Sequence, residues 1–339
     1  MSIKQAIAQA VDGHDLDDEM MTAAMNAIMT GQATPAQVAG FLVALRLKGE
    51  TVTEIAAAAR VMRGLATGVD LAGLAPTVDI VGTGGDASGT FNVSTTSIFV
   101  AAAAGCHVAK HGNRSVSSKS GAADVLEAAG LRLDLSPEQV ARCVREVGVG
   151  FMFAPAHHGA MKHAVGPRRE LGVRTLFNVL GPLTNPAGVR HQVLGVFSEH
   201  LLLPLAETLQ RLGSEHVLVV HARDGLDEIS VAERTEIAEL KHGAISRYSL
   251  APEDFGLSRS NLDAIRVEDP AQSLTLLLEV LDNQPGAARD IVVLNAGAAI
   301  YAADVTDSLA EGVRLADAVI TSGAARERFD ALIALAETL

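Results

Sequence analysis

The sequence predicts an α/β protein, with a small all-helical N-terminal domain and a large α/β domain whose central mixed, mainly parallel sheet is flanked by helices. The first sixty-odd residues carry helical patterns only. Residues 64–76 shift to glycine and small residues, which is typical of a domain boundary. After them, short β-branched runs alternate with alanine- and leucine-rich helical patterns as far as the C-terminus. We therefore expect a helical domain over 1–68 and an α/β domain over 74–339.

The helical region has recognisable helix ends. Thr34 and Pro35 combine an N-cap residue with proline at the first helical position, and Gly49 ends the helix that they begin. Thr51 and Glu54 then have the spacing of a capping box, which predicts the start of the next helix.

Three methionines form a stripe in the same region. Met21, Met25 and Met29 recur every four residues, so they share one face of a helix. This pattern favours packing in the core, and a subunit interface is the alternative.

Charge and composition exclude several classes of protein. The formal net charge is −13, from 40 acidic and 27 basic residues, which disfavours a generic nucleic-acid binder unless basic residues are concentrated locally. It also gives no support for binding to an anionic membrane. The N-terminus has no apolar signal-peptide core, and the uncharged residues 90–109 are too polar for a membrane span, so we expect a cytoplasmic protein. Cys106 and Cys143 lack a CxxC spacing, which indicates reduced structural thiols rather than a disulfide or a zinc site.

A glycine-rich loop follows the first predicted strand. The strand is predicted over 77–81 and a buried helix over 95–104, so the glycines lie at a strand-to-helix turn. Backbone N–H groups at such a turn bind phosphate. The loop lacks the lysine of a Walker motif. Gly82, Gly84 and Ala87 fit a dinucleotide fingerprint, but no acid follows at the required distance, so the sequence predicts a phosphate site of another kind.

A second loop concentrates basic and hydroxyl groups. Residues 87–123 contain no acid, although the chain as a whole is acidic. Such donors suit phosphate oxygens, and a solvated polar turn is the alternative. The basic side chains and histidines of this stretch are His107, Lys110, His111, Arg114 and Lys119, and its amide and hydroxyl donors include Asn113, Ser115, Ser117, Ser118 and Ser120.

Two further stretches carry candidate chemistry. Asp224, Asp227 and Glu228 follow a strand-like run, and Mg²⁺ commonly takes one or two carboxylates and completes its shell with water and phosphate, although surface acid pairs are also common. The histidines at 157, 158 and 163 lack the spacing of a helical zinc pair. Together with the neighbouring arginines, they are better suited to bind a carboxylate.

These motifs together resemble the anthranilate phosphoribosyltransferases, enzymes of tryptophan biosynthesis that join anthranilate to phosphoribosyl pyrophosphate. The resemblance covers nearly the whole chain and keeps the family's motif order. The motifs that carry it are GTGGD at 82–86, NVST at 92–95, KHGNRSVSSKSG at 110–121, RRELGVRTLFNVLGPLTNPA at 168–187 and DGLDE at 224–228.

The resemblance implies a Mg²⁺-dependent pentosyltransferase that forms a homodimer through its helical domain and binds neither nucleic acid nor membrane. It also implies that helices around 160–182 complete the helical domain. In the first loop and helix it places a donor site formed by Gly82, Gly85, Asp86, Thr90, Asn92, Val93, Ser94 and Thr95. In the second loop it places donor contacts from Lys110, His111, Gly112, Asn113, Arg114, Ser117, Ser118 and Ala122.

The remaining implied roles concern the acceptor, the metal and catalysis. Anthranilate would be framed by Gly82, Asn113 and Arg168, with His111 and His158 as further candidates. The metal ligands would be Ser94, Asp227 and Glu228, and the catalytic residues Lys110, Asn113 and Arg168. The chain departs from the family at Ala122, where serine is common, so one phosphate hydroxyl is either missing or supplied by Ser120.

The implied mechanism is electrostatic. Breaking the bond from ribose C1 to pyrophosphate gives an oxocarbenium-like transition state and a strongly anionic leaving group, which magnesium, Lys110 and loop N–H groups would stabilise. Two alternatives stay open at this point. They are a pyrimidine nucleoside phosphorylase-like enzyme, which would not need the acid pair at 227 and 228, and a non-catalytic nucleic-acid-binding relative, which would need a basic face.

Overall fold

The computed structural model describes residues 2–86, 88–115 and 119–339. Four helices precede the first strand, and their caps follow the sequence signals. The Thr34 hydroxyl accepts a hydrogen bond from the backbone of Gln37, and both hydrogen bonds of the Thr51–Glu54 capping box are present. Gly49 caps its helix at a φ of 89°, a left-handed conformation that favours glycine. The four helices are α1 (Ile3–Val11), α2 (Asp18–Met29), α3 (Pro35–Lys48) and α4 (Val52–Leu65).

The methionine stripe lies in the core of its own chain. Met21 and Met25 are fully buried and Met29 is nearly so, which confirms the prediction of core packing. Residues of the segment 164–183 belong to the same apolar cluster, among them Ala164 and Phe177. That segment overlaps α9 (Lys162–Leu171) and includes α10 (Phe177–Leu180), so these two helices pack with the N-terminal helices.

The described residues of the second region form one seven-stranded sheet, in the order β3-β2-β1-β4-β5-β6-β7. The first five strands are parallel, and β6 and β7 extend the sheet as antiparallel strands. This arrangement confirms the predicted mixed, mainly parallel sheet. The strands are β1 (Thr77–Gly82), β2 (His107–Gly112), β3 (Val149–Phe153), β4 (His191–Gly195), β5 (His216–Ala222), β6 (Thr235–Lys241) and β7 (Ala244–Leu250).

Helices cover both faces of the sheet, which is why its strands read as apolar runs. In β5, Leu218 and Val220 belong to the apolar cluster on one face, whereas Val217 and Val219 belong to the cluster on the other. The second cluster also contains the N-terminal helices, so they pack toward that face of the sheet. The covering helices are α5 (Val93–Ala103), α6 (Ala122–Ala128), α7 (Pro137–Val147), α8 (Ala154–His157), α11 (Leu202–Arg211), α12 (Pro270–Leu281), α13 (Ala287–Ala302), α14 (Leu309–Thr321) and α15 (Ala324–Glu337).

Helix α5 begins two residues before the predicted start at 95. Asn92 is its N-cap, and the hydroxyls of Thr96 and Ser97 donate to carbonyls one turn earlier, so the polar residues of this stretch fit inside the helix. Among the described helices, none combines the length and apolar character needed to span a bilayer.

The strand order creates a switch point between β1 and β4. From β1 the chain proceeds outward through β2 and β3 on one side, and later through β4 and β5 on the other. Loops therefore diverge at the carboxyl ends of β1 and β4 and leave a crevice there, which is the usual ligand site of open parallel sheets.

Candidate active site at the carboxyl edge of the sheet

Three predicted site loops meet at this edge. The glycine loop follows β1, the basic loop follows β2, and the acidic loop follows β5. All three strands are parallel, so their carboxyl ends lie on one side of the sheet. The topology thus brings together motifs that are more than 100 residues apart in the chain.

Two glycines make room for Asp227. Gly82 and Gly195 are partners across β1 and β4. A Cβ on Gly82 would lie 2.4 Å from Asp227 Oδ2, and a Cβ on Gly195 would lie 1.6 Å from the Asp227 carbonyl oxygen. The carboxylate also accepts a hydrogen bond of 2.7 Å from the backbone N–H of Gly84. Glycine is therefore required at both positions for the acidic loop to cross the ends of the two strands.

Asp227 and Glu228 are held in an electrostatically unfavourable state. Burial and the negative charge of Asp86 raise the pKa of Asp227, and burial and Asp227 raise the pKa of Glu228. The backbone N–H of Ser94 faces Glu228 and opposes this rise only in part. A divalent cation would relieve the repulsion, and these carboxylates with the Ser94 hydroxyl offer the oxygen ligands that Mg²⁺ prefers. The residues present therefore fit the predicted metal.

Lys110 lies beneath this acid cluster. Its ammonium group is buried, and it donates to the carbonyl of Ile80 at 2.6 Å and to the Ser94 hydroxyl at 3.2 Å. Burial lowers the pKa of Lys110, and the charges of Asp79, Glu228 and Asp227 oppose that effect. The cation is thus directed toward the predicted metal and pyrophosphate site.

The buried acid Asp79 was not predicted as a site residue. It is fully buried on β1, and burial raises its pKa to about 6 despite the nearby charge of Lys110. Its carboxylate accepts hydrogen bonds from the side-chain amide of Asn185, at 2.8 Å, and from the backbone of His111. A single acid inside an apolar strand is the sequence signal that could have identified it.

Asn92 ties three segments together. Its side-chain oxygen accepts from the hydroxyls of Ser120 and Ser273, both at 2.7 Å, and its amide donates to the Ser120 carbonyl. Farther along the glycine loop, Thr90 pairs with Arg266. The side chain of Val93 lies in the apolar core, whereas the buried Thr95 hydroxyl has no hydrogen-bond partner in the described part of the chain.

The basic loop is described as far as residue 115 and again from 119; the predicted donor contacts Ser117 and Ser118 lie outside the described residues. A Cβ on Gly112 would lie 2.8 Å from the Phe151 ring, so a larger residue there would displace that ring where β2 passes β3. Asn113 follows at the strand end, and Ala122 begins α6.

The positive charge of Arg114 is paired with acidic side chains of the same chain. Its guanidinium binds both carboxylate oxygens of Glu127, at 2.7 and 2.8 Å, and one oxygen of Asp124, and these contacts raise its pKa. It also lies over the Phe153 ring. Asp124 in turn accepts from the backbone of Gly121 at 2.9 Å. In this structure Arg114 stabilises the base of the loop.

Two predicted histidines lie together. The rings of His111 and His158 have centroids 5.0 Å apart, and the Nε2 atom of each has no hydrogen-bond partner within the part of the chain that is described. Burial and the neighbouring histidines lower the pKa of His111 to about 3 and that of His158 to about 4. Both rings are therefore neutral at physiological pH, and the Nε2 atom of each is buried.

Arg168 has a guanidinium that is half-buried and lacks an anion. It lies on α9 with its charge 5.1 Å from the centroid of the Phe177 ring, and burial lowers its pKa. Its guanidinium makes no hydrogen bond or ion pair with any residue of 2–86, 88–115 or 119–339. An arginine in this state is suited to bind a carboxylate.

Arg174 contacts the site although the sequence predicts no role for it. Its Nη2 atom donates to the carbonyl oxygen of Gly85 at 2.5 Å, so it contacts the glycine loop directly. The residue lies inside the quoted motif at 168–187, but no spacing rule connects it with a loop 89 residues earlier.

A second polar cluster lies at the opposite end of the sheet. His191 and His216 begin β4 and β5, and with Asp304 they offer three possible metal ligands within 4.8 Å of one another. However, Asp304 already binds His216 at 2.7 Å, and the Lys241 ammonium lies 3.6 Å from the same carboxylate. His216 also contacts Glu239 at 3.0 Å. We assign this network to the stability of the sheet end.

Comparison with known protein families first gives the class of protein to which the chain belongs. The family model described as "Glycosyl transferase family, helical bundle domain" matches residues 4–66, and the one described as "Glycosyl transferase family, a/b domain" matches residues 74–326. The chain thus has the helical bundle and the a/b domain of a glycosyltransferase family.

The more specific assignment comes from individual relatives. The chain is 65% identical to an anthranilate phosphoribosyltransferase of Thioalkalivibrio sulfidiphilus, over 98% of both chains. It superposes on the Thermus thermophilus enzyme with a TM-score of 0.93 and 45% identity, covering 98% and 99% of the two chains. A yeast enzyme solved in complex with PRPP and Mg gives a TM-score of 0.90 at 28% identity, covering 99% and 98%. The chain belongs to the anthranilate phosphoribosyltransferase family, and neither alternative is favoured.

Proposed function

We propose that this chain transfers the phosphoribosyl group of phosphoribosyl pyrophosphate to the amine of anthranilate and releases pyrophosphate. Beside family membership, one observation carries the proposal. Two glycines at the ends of adjacent strands admit Asp227 against the glycine loop, with Glu228 and Lys110 beside it. Paired acids, a buried cation and backbone N–H groups at a strand-to-helix turn are the parts needed to bind a metal pyrophosphate and stabilise its departure.

Asp227, Glu228 and the Ser94 hydroxyl would hold Mg²⁺. When bound, the ion neutralises charge on the leaving pyrophosphate. The chain's own contribution is the Lys110 ammonium, which Ile80 and Ser94 hold in place, together with the N–H groups of the glycine loop and of the start of α5. The other donor contacts implied by the resemblance remain part of this proposal.

Arg168 would orient the acceptor through its carboxylate. The guanidinium has no competing anion in the described chain and can bind the carboxylate in a bidentate manner. Asn113 and Gly82 would border the amine. His111 and His158, both neutral, would line the pocket without adding charge.

The domain division, oligomer and location are also proposals. The matches at 4–66 and 74–326 support domains over 1–68 and 74–339, and packing of α9 and α10 with the N-terminal helices supports their place in the helical domain. Exposed apolar side chains on the helical part, such as Leu47 and Val165, support a homodimer through that domain. A cytoplasmic location rests on the sequence alone.

Loss of anthranilate fluorescence tests the proposed function. Consumption should require both phosphoribosyl pyrophosphate and Mg²⁺, so omission of either should abolish it. Phosphorolysis of uridine or thymidine by inorganic phosphate would instead favour the nucleoside phosphorylase alternative. Salt-dependent retention on a DNA column, without anthranilate consumption, would favour the nucleic-acid-binding alternative.

A further inference from the structure

Arg174 holds the glycine loop from outside the sheet. It lies two residues after Gly172, the C-cap of α9, and its guanidinium donates to the Gly85 carbonyl oxygen at 2.5 Å. The same guanidinium lies 4.2 Å from the centroid of the Phe197 ring, within the range of a cation–π contact. The arginine is exposed and has no carboxylate partner in the described residues.

Phe197 is itself joined to the glycine loop. Its backbone N–H donates to the Thr83 hydroxyl at 3.1 Å, and the Thr83 N–H donates to the carbonyl of Gly195 at 2.9 Å. The backbone of Phe197, whose ring contacts Arg174, is therefore fixed relative to the start of the loop. Arg174 and Phe197 together connect the end of β4 with Gly85, the fourth residue of the GTGGD motif.

The contact determines the direction of a backbone donor. In a planar trans peptide the C=O and the N–H of the next residue point in opposite directions. When Arg174 holds the Gly85 oxygen, the N–H of Asp86 is directed to the other side of the loop. Gly84 and Gly85 have φ angles of 68° and 79°, which glycine adopts easily but does not maintain by itself, so the loop needs such an external contact.

A second contact links Arg174 with the N-terminal helices. The Arg46 side chain, on α3, donates to the Arg174 carbonyl oxygen. The arginine also follows Arg168 by six residues, on the segment that carries the proposed acceptor contact. The segment is therefore connected to both the helical region and the donor loop.

We infer that Arg174 is a positioning residue for the donor, which orients the Gly85–Asp86 peptide so that its N–H faces the pyrophosphate. The inference rests on the proposed function. It concerns donor binding and not global stability, because an exposed arginine without an acidic partner contributes little to the free energy of unfolding.

The test combines steady-state kinetics with calorimetric titration of the Mg²⁺ complex of phosphoribosyl pyrophosphate. R174A should raise the KM and the Kd for the donor roughly tenfold, the loss expected for one charged hydrogen bond. The KM for anthranilate at saturating donor and the thermal midpoint should change little. R174K, which keeps a cationic donor, should recover most of the donor affinity. Arg169→Ala, at an exposed neighbour, is the matched control and should resemble the wild type.

Three results would overturn the inference: donor affinity of R174A within twofold of the wild type, equal losses for both substrates, or R174K no better than R174A. The proposed function fails separately, if the wild type binds the donor complex but does not consume anthranilate. Donor titration needs no acceptor, so the two failures are distinguishable.

Discussion

Replacement of Arg168 by alanine should weaken anthranilate binding selectively. The guanidinium is half-buried, lies against Phe177 and has no anionic partner within the described chain, so its hydrogen-bonding capacity is available to the acceptor. A charged hydrogen bond contributes about 1.5–3 kcal/mol, which corresponds to a rise in the KM for anthranilate of roughly tenfold to a hundredfold. The KM for phosphoribosyl pyrophosphate should change little.

Fluorescence-detected initial rates over a matrix of both substrate concentrations give the two KM values. Arg169→Ala should have a much smaller effect, because that side chain is exposed. Aniline, which lacks the carboxylate, should be a poor acceptor for the wild type and should lose little further in R168A. Equal losses for anthranilate and aniline would refute the assignment and would place Arg168 in the donor site or in the support of the fold.

The D227N/E228Q double variant should lose nearly all Mg²⁺-dependent turnover and keep its circular dichroism spectrum; near-wild-type rates across a magnesium titration would exclude the metal role. Because the folded-state pKa values of both acids are raised, their ionisation lowers the free energy of unfolding as pH rises through those values, so this variant should melt at or above the wild-type temperature at pH 8 without metal. At the other end of the sheet, hydrogen bonds from His216 and Tyr301 overcome the effect of burial and lower the pKa of Glu239 to about 2. The Glu239 carboxylate therefore stabilises the fold at pH values above its unfolded pKa near 4.5. The difference in the free energy of urea unfolding between wild type and E239Q should shrink as pH falls from about 5 toward 2. Light scattering should give a mass of about twice 35.2 kDa, and a strict monomer at micromolar concentration would contradict the proposed dimer.

Local signals in the sequence predicted much of the fold. Helix caps such as Thr34 and Thr51 depend on residues three positions away, so their spacing is visible without a structure. The glycine loop was found in the same way, since a buried strand, four glycines and a buried helix follow one another directly. The four-residue period of the methionine stripe favours the core over a subunit interface, and the structure confirms core packing.

The site residues that the sequence did not predict depend on contacts between segments that are distant in the chain. Asp79 acquires its role only because β1 and β2 are neighbours and Asn185 returns to the same place 106 residues later. Gly195 is needed because Asp227 crosses the end of β4, which the periodicity of a single strand does not indicate. Arg174 belonged to a recognised motif, but its partner Gly85 is fixed by tertiary packing.

The most direct test of the proposed site is a crystal structure of this protein with Mg²⁺ and phosphoribosyl pyrophosphate bound. With the proposed site, the pyrophosphate should lie against the loop 82–86, with Mg²⁺ held between it and the carboxylates of Asp227 and Glu228. A pyrophosphate bound away from this loop, or a metal that neither carboxylate touches, would contradict it.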